Sequence, residues 1–188
     1  TEHDVPRVFT DVEELCRVDG VDVIDICTPS YLHATQVLQV LAAGKHAVCE
    51  KPVAGSLAEV DALIAAEAES GRRVMPIFQY RFGHGLQKLK FLIKEGVAGR
   101  AYLTTVETAW RRGSTYYAAP WRGKWETELG GALVTLATHG HDMLYYVLGQ
   151  VEQAIEYYEL VLAIDREIGD LQGEGTGLGN LGTAYLIL

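Results

Sequence analysis

Short apolar runs alternate with amphipathic segments from Thr10 to about Gln79, and this alternation predicts strand–helix–strand units of a parallel sheet. Three runs are predicted as strands: VDVIDICT (21–28), HAVCE (46–50) and RVMPIFQ (73–79). The first run is apolar almost throughout, which is typical of a strand covered on both faces of its sheet. Pro76 favours an edge position or a bulge for the third, because proline lacks the N–H that a sheet ladder needs.

The intervening helices have recognisable start and stop signals. Two helices are predicted to begin at capping boxes, formed by Thr10 with Glu13 and by Ser56 with Glu59. Gly44 and Gly71 are placed to end the helices over 30–43 and 56–70, since glycine adopts the left-handed conformation without a Cβ penalty. These signals support the α/β interpretation of the first part of the chain.

The pattern changes after residue 80. Three further elements are predicted: a helix over 86–95, a longer strand over 101–110 and a helix over 131–148. Residues 111–129 contain Gly, Pro and aromatic side chains without periodicity, which indicates an ordered loop that faces a ligand. We therefore expect a first domain over 1–80 and the start of a second domain over 81–149.

The composition shifts again after Gly149. The segments VEQAIEYYELVLAIDREIGD and GLGNLGTAYLIL are similar to a tetratricopeptide repeat, and they predict a helical hairpin over 150–188. Tyr145 and Leu148 recur as Tyr185 and Leu188, an offset of about 40 residues that lies in the range of helical repeats. A junction between two unrelated segments is expected near Gly149.

Composition narrows the range of functions. With 188 residues, 48% hydrophobic and 22% charged, the chain is expected to be soluble and globular. A net charge of −9 argues against a nucleic-acid partner, and no apolar run reaches the roughly 18 residues needed to span a membrane. The cysteines Cys16, Cys27 and Cys49 are odd in number and lie in or beside apolar runs, so we expect reduced, packed thiols and a cytoplasmic location.

Polar segments follow two predicted strands directly, CTPS (27–30) and CEKP (49–52). The carboxyl ends of strands in an open parallel sheet border the ligand crevice, so both segments should lie at one site. Lys51 beside Glu50 could give or take a proton there if desolvation lowers its pKa from about 10.4. The alternative interpretation is a lysine on a surface loop.

A second group of polar residues lies in GGALVTLATHGHD (130–142). His139 follows the paired glycines on a predicted helix, and an imidazole with a pKa near 6.5 is suited to proton transfer at neutral pH. His139, His141 and Asp142 could instead ligate a metal, but no cysteine or further ligand joins them, so no metal site is predicted. A purely structural histidine is the third alternative.

Six motifs occur in order along the chain: TPSYLHA (28–34), AAGKHAVCEKP (42–52), YRF (80–82), IKEGVAGR (93–100), PWRGKW (120–125) and GGALVTLATHGHD (130–142). Over residues 8 to 149, this order resembles the Gfo/Idh/MocA family of NAD(P)-dependent oxidoreductases. The resemblance implies an α/β fold, with an incomplete Rossmann-like parallel sheet, the start of an α+β substrate domain and the C-terminal hairpin.

The resemblance also implies hydride transfer between NAD or NADP and a hydroxyl of a small-molecule sugar, polyol, cyclitol or related compound. Lys51 and His139 match the family's catalytic pair. The residues implied at the cofactor are Thr28, Pro29, Ser30, His33, Glu50, Lys51, Pro52, Arg81, Trp121 and Arg122. Those implied at the substrate are Lys51, His139, Asp142 and Tyr117.

The sequence departs from the family pattern at Thr135, where many relatives have an aspartate. The glycine-rich turn with its strand and helix should precede Thr10, and only nine residues do, so the first strand–helix–strand unit is expected to be missing. Two other interpretations stay open for the chain. It could be an interaction module that pairs with another copy or a helical-repeat partner, or a chimeric product without a selected function.

Overall fold

A computed structural model describes Val5 and residues 7–99, 101, 104–107, 109 and 111–149, without the side chains at positions 132 and 133. The chain divides into two compact units, Thr1–Gln79 with Thr108–His139, and Tyr80–Glu107 with Gly140–Leu188. Within the described residues, no helix is long and apolar enough to cross a membrane. The predicted helical hairpin over 150–188 lies outside the described residues, so the three-part domain division stays a prediction.

Three parallel strands form a sheet in the first unit, in the order β1 (Val23–Ile26), β2 (His46–Cys49) and β3 (Val74–Pro76). The register sets Val23 opposite His46 and Ala47 opposite Val74. Each strand is shorter than predicted, but all three occur where the apolar runs placed them. β3 is an edge strand of this sheet and ends at Pro76, as the proline predicted.

Helices of the first unit follow the predicted order: α1 (Val12–Cys16), α2 (His33–Ala42) after a 3₁₀ turn over Ser30–Leu32, and α3 (Leu57–Ser70). Half of the predicted α3 capping box is confirmed, because the Glu59 N–H donates to Ser56 Oγ at 3.2 Å. The Glu59 carboxylate accepts from the Gly55 N–H at 2.7 Å, one residue before the predicted donor. Gly71 ends α3 with φ of 65°. The predicted Thr10 cap is wrong: Asp11 is the N-cap, and its carboxylate accepts the Glu13 N–H at 2.7 Å.

The core of the first unit lies on one face of the sheet. Val37, Val40 and Leu41 of α2 are fully buried there together with Cys49. Burying each such side chain stabilises the fold by about 1.5–3 kcal/mol. The prediction that β1 is covered on both faces is wrong, since burial alternates along β1 and Val23 is 51% exposed. Among the described elements, α2 packs against β1 and β2 on the face that holds this core.

The cysteines are only partly as predicted. All three thiols are free, but Cys27 is exposed while Cys16 and Cys49 are buried. Burial raises the pKa of Cys49 to about 12, so this thiol stays neutral at ordinary pH. Two of the three cysteines are therefore packed thiols, and the third is on the surface because it follows β1 at the end of the strand.

The later elements depart further from prediction. α4 (His84–Lys94) begins two residues before its predicted start, and the described residues of the expected strand, 101, 104–107 and 109, have no strand assignment. Short helices α5 (Ser114–Tyr117) and α6 (Trp125–Glu128) occupy the predicted loop. The single helix predicted over 131–148 is two helices, α7 (Gly131–Thr135) and α8 (Thr138–Leu148).

Candidate active site

Lys51 follows β2 and occupies a half-buried position in the first unit. Its Nζ donates to the backbone carbonyl of Thr135 at 2.6 Å, across 84 residues of sequence. Gly55 lies against Leu129, where an added Cβ would come within 2.8 Å of the leucine side chain. The segment after β2 therefore packs directly on residues 129–135, and the alternative of a lysine on a free surface loop is wrong.

The surroundings of Lys51 disfavour its charged form. Burial lowers the pKa of the Lys51 ammonium below its ordinary value, and the nearby cations Arg122 and Arg112 act in the same direction. The carboxylate of Glu50 opposes this shift. Its direct partner at Nζ is the neutral Thr135 carbonyl, which holds the proton on this nitrogen less strongly than a bonded carboxylate would. Lys51 is therefore suited to proton exchange.

His33 joins the two segments that follow β1 and β2. Its ring nitrogens lie 2.7 Å from the Pro52 carbonyl oxygen and 2.7 Å from the Thr28 carbonyl oxygen, and the side chain is 1% exposed. The two strand ends are thus braced together at the edge of the sheet, as the crevice rule predicts. Both nitrogens of His33 face backbone, and its predicted contact with a cofactor stays a prediction.

The TPS segment is folded back onto α2. Thr28 Oγ1 donates to Gln36 Oε1 at 2.6 Å, and the Pro29 carbonyl accepts the Leu32 N–H at 2.9 Å. Ser30 is buried at the start of the 3₁₀ turn. These contacts fix the backbone at the end of β1 while Thr28 remains exposed at the edge where a ligand would bind.

Aromatic rings and arginines gather between α5 and α6. The Arg122 guanidinium lies 3.8 Å from the Trp121 ring centre and 4.3 Å from that of Tyr116. Tyr117 packs edge-on against Tyr116, with 5.1 Å between ring centroids. The structure thus brings together three predicted site residues, Trp121, Arg122 and Tyr117, in one cation–aromatic cluster.

Two further residues of this cluster were missed from the sequence. The Arg112 guanidinium lies 4.8 Å from the Tyr116 ring centre. Glu128 is buried, lies 3.4 Å from Arg122 and accepts the Gly123 N–H at 2.7 Å. The paired arginines just before the tyrosine pair were the available signal for Arg112. Glu128 has no comparable signal, because its role depends on the fold of the α5–α6 segment.

His139 lies at the start of α8 and is 4% exposed. Its ring is edge-on to Phe78, with 6.3 Å between centroids. Thr135, which holds Lys51 through its carbonyl, comes four residues earlier, and its own hydroxyl donates to the Gly131 carbonyl at 2.8 Å. Lys51 and His139 belong to the same compact unit, and their catalytic roles stay predictions.

Arg81 and Asp142 are ion-pair partners in the second unit. Arg81 Nε lies 2.9 and 2.8 Å from the two carboxylate oxygens of Asp142, and a third contact is made through Nη2. The hydrogen bonds that Arg81 donates to the Asp142 carboxylate raise the pKa of Arg81. The two charges thus compensate each other. The roles predicted for Arg81 at the cofactor and for Asp142 at the substrate stay predictions.

A metal site at His139, His141 and Asp142 has no support in the part of the chain that the structure describes. No cluster of three or more His, Cys, Asp or Glu side chains there is arranged to hold a metal ion. The Asp142 carboxylate forms an ion pair with Arg81. Burial lowers the pKa of His141.

Known protein families match most of the chain. Residues 1–78 match the oxidoreductase family with an NAD-binding Rossmann fold, and residues 86–159 match the GFO/IDH/MocA C-terminal domain. The second match runs ten residues past Gly149, into the segment predicted as a tetratricopeptide-like hairpin. The tetratricopeptide resemblance itself finds no support in these matches.

Individual relatives include enzymes of sugar and cyclitol chemistry. A myo-inositol 2-dehydrogenase from Thermotoga maritima is 25% identical over 184 residues, which are 98% of this chain and 51% of that protein. A levoglucosan dehydrogenase from Pseudarthrobacter phenanthrenivorans is 33% identical over 132 residues, 69% of this chain and 34% of the relative. The chain spans about half the length of the first curated relatives it matches.

A solved structure agrees in fold and in sequence. The WlbA dehydrogenase from Bordetella pertussis, determined in complex with NADH and UDP-GlcNAcA, superposes with a TM-score of 0.71 and 38% identity. The match covers 76% of this chain and 41% of that one. With a Rossmann-like parallel sheet and the sequence of both family domains, this chain belongs to the Gfo/Idh/MocA family of oxidoreductases.

Proposed function

We propose that the chain provides the nicotinamide side of an NAD-dependent dehydrogenase active site that oxidises a hydroxyl of a sugar or cyclitol. The observation that carries this proposal is Lys51, a half-buried lysine of lowered pKa at the carboxyl end of β2, held by a neutral carbonyl. A lysine in this state can accept a proton at lower pH than an exposed one. The dehydrogenases among the relatives support the reaction class.

The residues at the sheet edge fit the cofactor. Segments 28–30 and 50–52 lie at the carboxyl ends of neighbouring parallel strands, where dinucleotides bind in folds of this type, and His33 braces them. These two segments would hold the nicotinamide side. NAD, when bound, supplies the acceptor for hydride. NADH in the solved WlbA relative favours NAD as the cofactor, and use of NADP stays a prediction.

The side chains of this protein would contribute proton transfer to the reaction. A hydroxyl that loses hydride from its carbon must also lose its O–H proton, and Lys51 in its neutral form would accept it at Nζ. The Thr135 carbonyl orients this nitrogen through the 2.6 Å hydrogen bond. His139, in the same unit, would pass the proton on, in the role implied by the family pattern.

The relatives support a substrate class. The proteins similar to this chain act on myo-inositol and levoglucosan, and WlbA was solved with UDP-GlcNAcA. We infer a small polyhydroxy compound as substrate. A second copy of the chain or a helical-repeat protein as partner stays a prediction.

A titration with NADH tests the proposal. The purified chain is titrated while its tryptophan fluorescence and melting temperature are followed together. Saturable binding that raises the melting temperature is expected, since a ligand that binds only the folded state stabilises it. Arg73→Gln is the control, because Arg73 is an exposed cation outside the proposed site. A cooperatively melting chain that shows no response up to millimolar NADH would rule the proposal out.

A further inference from the structure

Leu129 has a backbone conformation that leucine seldom adopts. It follows α6 with φ of 54° and ψ of 33°, in the left-handed region where the Cβ of an L-residue crowds the following carbonyl oxygen. Every other residue with positive φ in the described part of the chain is a glycine. A leucine stays in this conformation only where surrounding contacts hold it, so Leu129 marks a place where the fold fixes a geometry.

The side chain of Leu129 lies against Gly55, in the segment after β2. A Cβ added at Gly55 would lie 2.8 Å from Leu129 Cδ2 and 3.2 Å from both its Cβ and its Cδ1. The backbone fixes the Leu129 Cβ, so rotation of the leucine side chain could not clear all three contacts. Gly55 is not among the glycines with positive φ, so its missing side chain serves to make room for the leucine.

The backbone at Gly55 is tied in turn to the start of α3. Its N–H donates to the Glu59 carboxylate at 2.7 Å, and Ser56 Oγ accepts the Glu59 N–H at 3.2 Å. Withdrawal of Gly55 from the leucine would break the first of these hydrogen bonds. The surface on which Leu129 rests is therefore held in place by α3.

A second contact joins the same two segments closer to the reacting group. Lys51, four residues before Gly55, donates from Nζ to the Thr135 carbonyl at 2.6 Å. Thr135 ends α7, six residues after Leu129, and its hydroxyl donates to the Gly131 carbonyl at 2.8 Å. Because α7 is a short hydrogen-bonded helix, a displacement of Leu129 at its start would carry the Thr135 carbonyl with it.

We propose that Leu129 is a positioning residue for the reaction: seated on Gly55, its side chain fixes α7 so that the Thr135 carbonyl meets Lys51 Nζ. The inference rests on the proposed function, in which Lys51 accepts the proton. Leu129 acts only through Thr135. Glycine at position 55 and leucine at position 129 are thus required together.

The titration of Lys51 reports on its position without any need for turnover. In Gly55→Ala the added methyl group displaces Leu129 and with it the Thr135 carbonyl, and water replaces that acceptor at Nζ. Since burial is the main cause of the lowered pKa of Lys51, the midpoint of its Cε resonance in ¹³C NMR should rise by about half a unit or more. Gly113→Ala is the control and should leave the midpoint in place, because a Cβ there meets open space and φ is −90°.

A second substitution separates the leucine contact from a general loss of packing. Leu129→Gly removes the side chain and suits the left-handed backbone, and the Lys51 midpoint should rise in this variant too, even if Gly55→Ala alone fails to fold. Gly55→Ala should add no further shift to Leu129→Gly, since its methyl group then meets no side chain at 129. An unchanged midpoint in either folded single variant, or equal shifts from Gly55→Ala with leucine and with glycine at 129, would overturn the positioning role.

Turnover distinguishes this inference from the proposed function. If the chain oxidises myo-inositol with NAD, Gly55→Ala should lower kcat about 10- to 100-fold and leave KM for NAD nearly unchanged, because a proton acceptor displaced by about 1 Å reacts more slowly. The expected midpoint shifts in a chain that neither binds NADH nor turns over would support the positioning role and contradict the dehydrogenase proposal. Turnover with the same kcat in Gly55→Ala and the unaltered chain would support the dehydrogenase proposal and overturn the positioning role.

Discussion

Lys51 in the first unit and Arg81 in the second are both partly buried cations, but their partners differ. Arg81 meets both carboxylate oxygens of Asp142, whereas the Nζ of Lys51 meets the carbonyl oxygen of Thr135. The pKa values shift accordingly: the hydrogen bonds that Arg81 donates to Asp142 raise the pKa of Arg81, and burial lowers the pKa of Lys51. A cation paired with a carboxylate keeps its charge and has a structural role. A cation bonded to a neutral carbonyl can exchange its proton more easily.

This difference in partners predicts that the Arg81–Asp142 pair contributes mainly to stability and Lys51 mainly to reactivity. The Asp142 side chain is 7% exposed, so removal of its charge would leave Arg81 without its main compensation. The Lys51 Nζ bonds the neutral carbonyl of Thr135, so a smaller neutral side chain at this position leaves no buried carboxylate unpaired and should be tolerated. A substitution at Asp142 should therefore affect mainly folding, whereas one at Lys51 should affect mainly turnover.

The largest expected effect is on turnover at Lys51. Lys51→Ala removes the proton acceptor and should lower kcat by about 100- to 10,000-fold, with little loss of stability. Turnover is followed by NADH absorbance with myo-inositol and D-glucuronate as trial substrates. Lys45→Ala is the matched control, because Lys45 donates to the Val18 and Val21 carbonyls and should affect stability instead. Full activity of Lys51→Ala would remove this lysine from the chemistry.

The next effect is on folding at Asp142. Asp142→Asn should lower the free energy of unfolding by about 1–3 kcal/mol, because the partly buried Arg81 loses its countercharge. Urea denaturation followed by circular dichroism measures the change. Glu13→Gln breaks the exposed Arg17–Glu13 pair and should cost no more than about 0.5 kcal/mol. Equal costs for the two substitutions would contradict a structural role for the Arg81–Asp142 pair.

A carboxylate placed beside Lys51 should stabilise its charged form, as Asp142 does for Arg81. Thr135→Asp puts a negative charge near Nζ and should raise the pKa of Lys51, which moves the acid limb of the activity profile about one unit toward higher pH. Thr135→Asn has nearly the same shape without the charge and should leave the limb in place. A limb that moves equally in both variants would show that geometry, not charge, controls it.

The smallest expected effect is on the pH dependence of stability. Since the pKa of Lys51 is lowered in the folded state, the unfolded chain binds more protons between that value and the ordinary lysine value of 10.5. The free energy of unfolding should therefore rise with pH across this window, relative to Lys51→Met. Urea denaturation of both proteins at a series of alkaline pH values measures this difference in the free energy of unfolding. A difference that falls as pH rises would be inconsistent with the lowered pKa.

Features that depend on neighbouring residues were predicted from the sequence. The Ser56 N-cap and the Gly71 stop are confirmed, because their hydrogen bonds lie within a few residues of the chain. Pro76 at the sheet edge follows from its missing N–H alone. The Thr10 cap fails by one residue, since Asp11 offers the better placed acceptor for the Glu13 N–H.

Features that depend on distant parts of the chain were not predicted. The Lys51–Thr135 contact joins residues 84 apart, and the Arg81–Asp142 pair joins residues 61 apart. A single sequence holds no signal for either pairing. The sequence could therefore identify Lys51 as chemically promising, but it could not show that the Thr135 carbonyl binds its nitrogen.

The protonation of Lys51 is the most direct test of the difference between the two cations. Its Cε resonance can be followed by ¹³C NMR across neutral to alkaline pH, and assigned by its loss in Lys51→Arg. We expect this lysine to titrate below the other lysines of the chain. Titration together with the exposed lysines would contradict the lowered pKa and with it the proposed role of Lys51 in proton transfer.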